Sequence, residues 1–320
     1  MRHETCAIAV LGREKGLIRT MMSSKRENKV AIVTGGTDGI GKETARGLAR
    51  AGHSVLVVGR DKEKGDKAVR ELRQTTGNSD VQFLGADLSL MSDAHRICDE
   101  IAESYNAIHY LVHSAGIVRG RRLLTAERVE SNFAVNYLSR FVITTRLLPL
   151  LESGGHTGEA SRIVIIGGAA QNGKIHFDDV NLTRNFNTIR AVTQFCQAND
   201  VFTIELSRRL AATGKSPFVT ITCLKIGVVK TNIRREFPWW MKFFVPLVFD
   251  PLLGQTPHQA AHSALALLMG QNYEGVTGAL FSQIRKFKRV EPRKSALDPS
   301  VGNRLWNLSE NLYAKRIAVA

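Results

Sequence analysis

The chain holds four cysteines in 320 residues, and Cys6, Cys98, Cys196 and Cys223 stand far apart with no Cys-x-x-Cys pair among them. That excludes a disulfide framework and the usual zinc-finger spacings, and it fits packed thiols in a reducing compartment. No uncharged stretch reaches the roughly 18 apolar residues that a bilayer-spanning helix needs. The apolar run at residues 6–12 is too short for the core of a secretory leader. No basic block interleaves with aromatics and no nucleic-acid motif appears. The net charge of +15, from 44 Lys+Arg against 29 Asp+Glu, therefore points to an anionic cofactor or an anionic membrane surface rather than to nucleic acid. There is no internal repeat and no low-complexity tract. One absence is local: between Ser161 and Gly214 there is no tyrosine, and the one lysine is Lys174.

What is present is a regular alternation. Apolar runs of strand length at 29–34, 54–59, 81–86, 108–113, 162–167, 218–224 and 279–282 are separated by helical patterns at 39–51, 62–74, 91–104, 126–151, 187–212 and 258–269. Continuous apolar strands between helices imply a parallel sheet covered on both faces. The right-handed crossover rule makes it a doubly wound, Rossmann-type α/β domain. No linker follows residue 28, so a single domain over 28–320 is expected, behind a flexible tail at 1–27. The acids Glu4, Glu14 and Glu27 argue against an organelle presequence, and Met21 or Met22 offers an alternative start.

The first strand runs directly into Thr34-Gly35-Gly36-Thr37-Asp38-Gly39-Ile40-Gly41 and then a helix. Glycines let backbone approach a pyrophosphate, and a helix N-terminus offers free N–H groups and partial positive charge to it. Strand, glycine turn and helix in sequence make the signal more specific than glycines alone. This loop matches TGxxxGIG, and from here the chain resembles the short-chain dehydrogenase/reductase family, above all its retinol-dehydrogenase-like members. The resemblance covers about residues 28–315. Asp87-Leu88 resembles the pair that holds the adenine, and His113-Ser114-Ala115-Gly116 the family's Asn-Asn-Ala-Gly turn with both asparagines changed. Asn136 matches the helix asparagine of the active site. Gly227 and Thr231 match the loop beside the nicotinamide, with Ile226 where proline is usual. Leu305-Trp306 and Ser309-Glu310 resemble the closing segment.

An acid at the end of the second strand would select NAD. Here Gly59 stands in that place and Arg60 follows, which leaves room for a 2′-phosphate and a guanidinium to hold it, so NADP(H) is expected. The cofactor-binding set is then Gly35, Thr37, Asp38, Gly39, Ile40, Gly41, Arg60, Asp87, Leu88, Ala115, Gly116, Gly227 and Thr231, and no metal is implied.

In the resembling family a serine orients the substrate carbonyl, a tyrosine transfers the proton, and a lysine four residues later binds the nicotinamide ribose and lowers the tyrosine's pKa. A phenol with an ordinary pKa near 10 needs that tuning. Anchored on Asn199 and Glu205-Leu206, the three positions fall on Gly168, Val192 and Cys196. Asn136 alone of the catalytic tetrad remains. Cys196 in mid-helix reads as packing. His176, on the loop after the fifth strand with Lys174 and Asp178-Asp179, is the candidate acid–base group, against the plainer reading of a solvated loop. Lys225 is read either as a contact to cofactor phosphate or anionic substrate, or as a surface lysine.

Residues 237–249 hold two of the three tryptophans and four phenylalanines where the family places its substrate lid, at about 228–255. Two readings stand: a lid packed on the pocket, or an apolar channel that docks on a membrane through 234–253, with Arg234, Arg235 and Lys242 on anionic headgroups. Both favour a lipophilic substrate, and a cytoplasmic, membrane-associated location follows from the second. Three functions remain open: a divergent NADP(H) reductase with a non-classical proton donor, a non-redox cyclase, isomerase or dehydratase on the same scaffold, and an inactive partner protein. A homodimer through the two longest helices is compatible with each.

Overall fold

The computed structural model describes residues 28–156, 158–170, 173–215, 218–227, 256–284 and 286–317. Residues 1–27, the segment 228–255 expected to form the lid, the stretch 234–253 expected to dock on a membrane, and Thr231 lie outside the described residues.

Apolar strands seed the sheet. β1 (Val30–Thr34), β2 (Ser54–Gly59), β3 (Val81–Gly85), β4 (Tyr110–His113), β5 (Ser161–Gly168), β6 (Val219–Ile226), β7 (Ala279–Gln283) and β8 (Lys288–Val290) form one sheet in the order β3-β2-β1-β4-β5-β6-β7-β8. All pairings are parallel except β7 with β8. Side chains alternate across it. Ile32, Leu111, Ile163, Ile165, Ile221 and Cys223 face α3 (Met91–Ser104), α4 (Ser131–Gly155) and α5 (Thr188–Ala212). Val33, Val57, Val112, Val164 and Leu224 face α1 (Gly39–Arg50), α2 (Lys62–Thr76) and α6 (Pro257–Met269). The short α7 (Lys294–Leu297) and the C-terminal α8 (Pro299–Ile317) close over α5. Strand order reverses direction of growth between β1 and β4, so the crevice beyond the carboxyl ends of those strands is where an α/β sheet takes a ligand.

Two expectations about elements change. The helical pattern at 126–151 does not form one helix from its start. Arg128 adopts a positive φ of 61°, and Thr125 N–H donates to Val129 O, making a tight turn. The helix begins only at Ser131, where the Glu130 carboxylate accepts from the N–H groups of Asn132 (3.0 Å) and Phe133 (2.9 Å). A side-chain cap thus decides where the periodic pattern becomes helix. It then widens into a π turn at Ala134–Leu138 before continuing as Ser139–Gly155. Asn136 Nδ2 donates to Asn132 O at 2.8 Å, the carbonyl that a regular α-helix offers to the Asn136 backbone. The second change is that the run at 279–282 is not the last strand, because Lys288–Val290 returns antiparallel beside it.

Candidate functional site

The glycine loop closes on itself and on the turn after β4. Gly35 has φ +69°, and a Cβ there would lie 2.6 Å from Ala115 N. A Cβ on Gly41 would lie 2.3 Å from Gly35 O. Only glycine fits at both positions, so bare backbone lines the approach to the α1 N-terminus. Asp38 caps that helix, its Oδ1 accepting from Gly39 N–H at 2.7 Å. At the end of β2 a Cβ on Gly59 would meet Thr37 Cγ2 at 2.9 Å, so an acidic side chain is excluded there unless Thr37 moves. Arg60 is exposed just beyond. Asp61 caps α2 instead of facing the crevice, accepting from Lys64 N–H at 3.1 Å. Lys42 is turned to Glu71 at 3.1 Å. Asp87 Oδ1 accepts from Ser89 N–H at 3.0 Å, and its own N–H donates to Asp93 Oδ2 at 2.8 Å, fixing the turn after β3; Leu88 is buried beside it.

Asn136 is a clamp. Its Oδ1 accepts from Ile117 N–H at 3.2 Å, Nδ2 donates to Ile117 O at 2.8 Å, and its carbonyl accepts from Asn199 Nδ2 at 3.0 Å. This ties Ile117, next to Gly116, to α4, and α4 to α5. His113 is fully buried with Nε2 on Thr144 Oγ1 at 2.8 Å, and burial holds its pKa well below the usual histidine range.

The fold brings Gly168 and Cys196 into contact: a Cβ on Gly168 would lie 2.9 Å from Cys196 Sγ. Val192 is one helical turn before Cys196 on α5, half-buried against the core. Burial pushes the Cys196 thiol up to about 11, so it is a neutral packing group at pH 7. Tyr137 points away from this place, its hydroxyl on Ser309 Oγ at 2.7 Å in full burial.

His176 is engaged at both ring nitrogens by Arg190, with Nε donating to Nε2 at 2.9 Å and Nη2 at 3.1 Å from Nδ1. Burial, then the Arg190 charge, lowers its pKa, which leaves the ring neutral at pH 7. Asp178 pairs with Arg304 at 2.7 Å. Burial opposes ionisation of Asp179, but the Thr183 hydroxyl and the Thr183 and Arg184 N–H groups hold its carboxyl down at about 2. Lys174 is exposed.

Two buried charges escaped the sequence reading. Arg140 on α4 donates from Nη2 to Ala115 O at 2.8 Å; burial lowers its pKa to about 10, so it stays charged at pH 7. Asp200 on α5 takes Lys225 Nζ on its Oδ2 at 2.5 Å, which removes Lys225 from the surface class. Each interrupts an apolar helix run, Leu138–Ile143 and Ala198–Phe202, and that interruption was the available signal. Gly227 ends the described part of the loop after β6. Among the described residues no cluster of three or more His, Cys, Asp or Glu could hold a metal, and no helix is long and apolar enough to cross a membrane.

A family model for short chain dehydrogenases matches residues 29–178. Human retinol dehydrogenase 13 is 34% identical over 289 residues, covering 89% of this chain and 84% of that one. Human polyprenol dehydrogenase is 32% identical over 254 residues, covering 79% and 76%. Among solved structures, the NADP complex of RhlG from Pseudomonas aeruginosa has a TM-score of 0.64 at 23% identity, covering 82% of this chain and 96% of that one. The NADH complex of 3-ketoacyl-(acyl-carrier-protein) reductase from Brucella melitensis has a TM-score of 0.62 at 21% identity, covering 80% and 96%. At these identities the structures establish a common fold.

Proposed function

The chain belongs to the short-chain dehydrogenase family, and we propose that it binds NADP(H) and acts on a lipophilic small molecule by carbonyl–alcohol redox with a proton donor other than tyrosine. The observation that carries the cofactor is the loop itself: Gly35 packs on Ala115 N and Gly41 on Gly35 O too closely for any Cβ, which leaves bare backbone at the α1 N-terminus, and Thr37 bars an acidic side chain at Gly59, with the exposed Arg60 next to it. The N–H groups of Ile40 and Gly41 at the α1 N-terminus would meet the pyrophosphate. Arg60 would take the 2′-phosphate, Asp87 and Leu88 the adenine, and Ala115, Gly116 and Gly227 the nicotinamide side. When bound, NADPH supplies a hydride to a carbonyl. The chain's own residues position and desolvate the reactants, a contribution that alone lowers a barrier by several kcal/mol. A lipophilic substrate is supported by the apolar composition of 237–249 and by relatives whose names denote retinol and polyprenol dehydrogenases.

The proton cannot follow the family's usual route through residue 192, which is Val192. His176 is neutral at pH 7, which makes it a poor acid for carbonyl reduction, and its one basic nitrogen accepts from Arg190, so it would serve as a base in alcohol oxidation only once Arg190 releases it. A second reading has its own support. Gly168, Val192 and the neutral Cys196 put no titrating group at the three catalytic positions, which fits a cyclisation, isomerisation or elimination driven by positioning. NADPH oxidation followed against a panel of lipophilic ketones and aldehydes separates the two. Turnover supports redox, tight NADPH binding with no turnover moves the assignment to the non-redox reading, and no NADPH binding overturns the cofactor proposal. A homodimer through α4 and α5 and membrane docking through 234–253 belong to the same proposal, and sedimentation and vesicle flotation test them.

A further inference from the structure

The Lys225–Asp200 pair has more capacity than its own contact uses. Lys225 Nζ meets Asp200 Oδ2 at 2.5 Å, with the two side chains only 16% and 4% exposed. Asp200 Oδ1 is buried and has no hydrogen-bond partner. A buried carboxylate oxygen left unpaired is costly, and such an atom calls for a hydrogen-bond donor. The placement fits one. Asp200 lies one turn after Cys196 on α5, and Lys225 stands across the β5–β6 pairing from Gly167, with Ile226 across from Gly168. Gly167 and Gly168 put no side chain between the strand ends and the helix. The pair therefore sits beneath the place where residue 196 would otherwise bring a cation, near enough that both its charges, Asp200 and then Lys225, act on the Cys196 thiol in opposite directions.

A lysine ammonium has three donors, of which one serves Asp200, while Asp200 Oδ1 is a free acceptor. Donor and acceptor side by side match a vicinal diol, each hydroxyl of which both donates and accepts. Resting on the NADP(H) reading above, we propose that Lys225 and Asp200 form the subsite for the nicotinamide-side ribose hydroxyls, delivering from strand β6 the cation that residue 196 on α5 lacks. Hydrogen bonds to charged partners are the stronger class, so loss of the pair should be measurable in binding alone.

The test uses calorimetric titration with two ligands. NADPH contains both riboses, and adenosine 2′,5′-bisphosphate contains only the adenine-side one. The variants are Lys225→Arg and the double variant Lys225→Met/Asp200→Asn, which removes both charges without stranding either; thermal melts confirm that each folds. The double variant is expected to bind NADPH about tenfold or more weakly with bisphosphate affinity unchanged, and Lys225→Arg to stay within about threefold of the parent. Unchanged NADPH affinity in the double variant, or equal weakening of both ligands, overturns the subsite while leaving the cofactor reading intact. If the unmodified protein binds neither ligand, the cofactor reading itself falls, and the subsite with it.

Discussion

Replacing Gly168 by alanine probes the contact between Gly168 and Cys196, two of the three positions that the proposal aligns with the family's catalytic side chains. The new methyl would lie 2.9 Å from Cys196 Sγ, inside the roughly 3.5–4.0 Å of an ordinary non-bonded contact. Neither side yields easily, since Gly168 ends a strand paired along its length with β6 and Cys196 is 2% exposed on a long helix. Overpacking of this kind costs about 1–3 kcal/mol. The gain from a stiffer unfolded chain returns roughly 0.4–1 kcal/mol, so a net loss of about 1–2 kcal/mol is expected. In a Cys196→Ala background the opposing atom is gone, and Gly168→Ala should become neutral or mildly stabilising. The cycle therefore predicts a coupling of about 1–2 kcal/mol between the positions. Urea denaturation of the four proteins, with the slopes checked for equality, measures it. Additivity within about 0.5 kcal/mol would refute the contact and with it the claim that these two positions face each other. The same geometry predicts that Gly168→Ser alone is destabilised and inert. The triple variant Val192→Tyr/Cys196→Lys/Gly168→Ser removes the clashing thiol and should raise reductase activity; an inert, folded triple variant would mean the pocket as a whole has been rebuilt.

Gly41→Ala puts a Cβ 2.3 Å from Gly35 O, so NADPH affinity should fall by more than about tenfold while far-UV circular dichroism is retained; unchanged affinity would remove the loop from the cofactor site. Tyr137→Phe deletes a buried hydrogen bond to Ser309 and should cost about 1 kcal/mol in urea unfolding without altering cofactor binding, because this hydroxyl holds α4 to α8. Burial raises the pKa of Glu130 above its ordinary 4.5, against the Asn132 and Phe133 N–H groups that lower it. Its contribution to stability is thus full below 4.5 and lost as pH rises through the folded-state value. The stability of the parent relative to Glu130→Gln should accordingly decline as pH rises from that point and then level off; a relative stability that grows with pH would contradict the assignment.

The sheet was legible because parallel strands buried on both faces leave continuous apolar runs, and those of β2 and of α3 are recovered to the residue. What was not legible depends on single side chains acting at a distance in sequence. The start of α4 is set by the Glu130 cap and the positive φ of Arg128, neither of which breaks the helical period at 126–151. β8 is three residues of mostly exposed, basic chain and carries no apolar signal. In the site, the glycine loop could be read because its residue types are forced by backbone approach. Lys225 was noticed but its partner was not, since Asp200 meets it only when α5 is laid across β6. His176 was a candidate by chemistry, and its engagement by Arg190, fourteen residues on, carries no signal in the sequence.

The central proposal is that the glycine loop and Arg60 select a 2′-phosphate. Calorimetric titration of NADPH and NADH against the same protein and its Arg60→Ala variant tests it most directly. The account predicts tighter binding of NADPH by about tenfold or more and loss of that preference in the variant. No binding of either nucleotide, or an NADH affinity equal to or above that for NADPH, would contradict it.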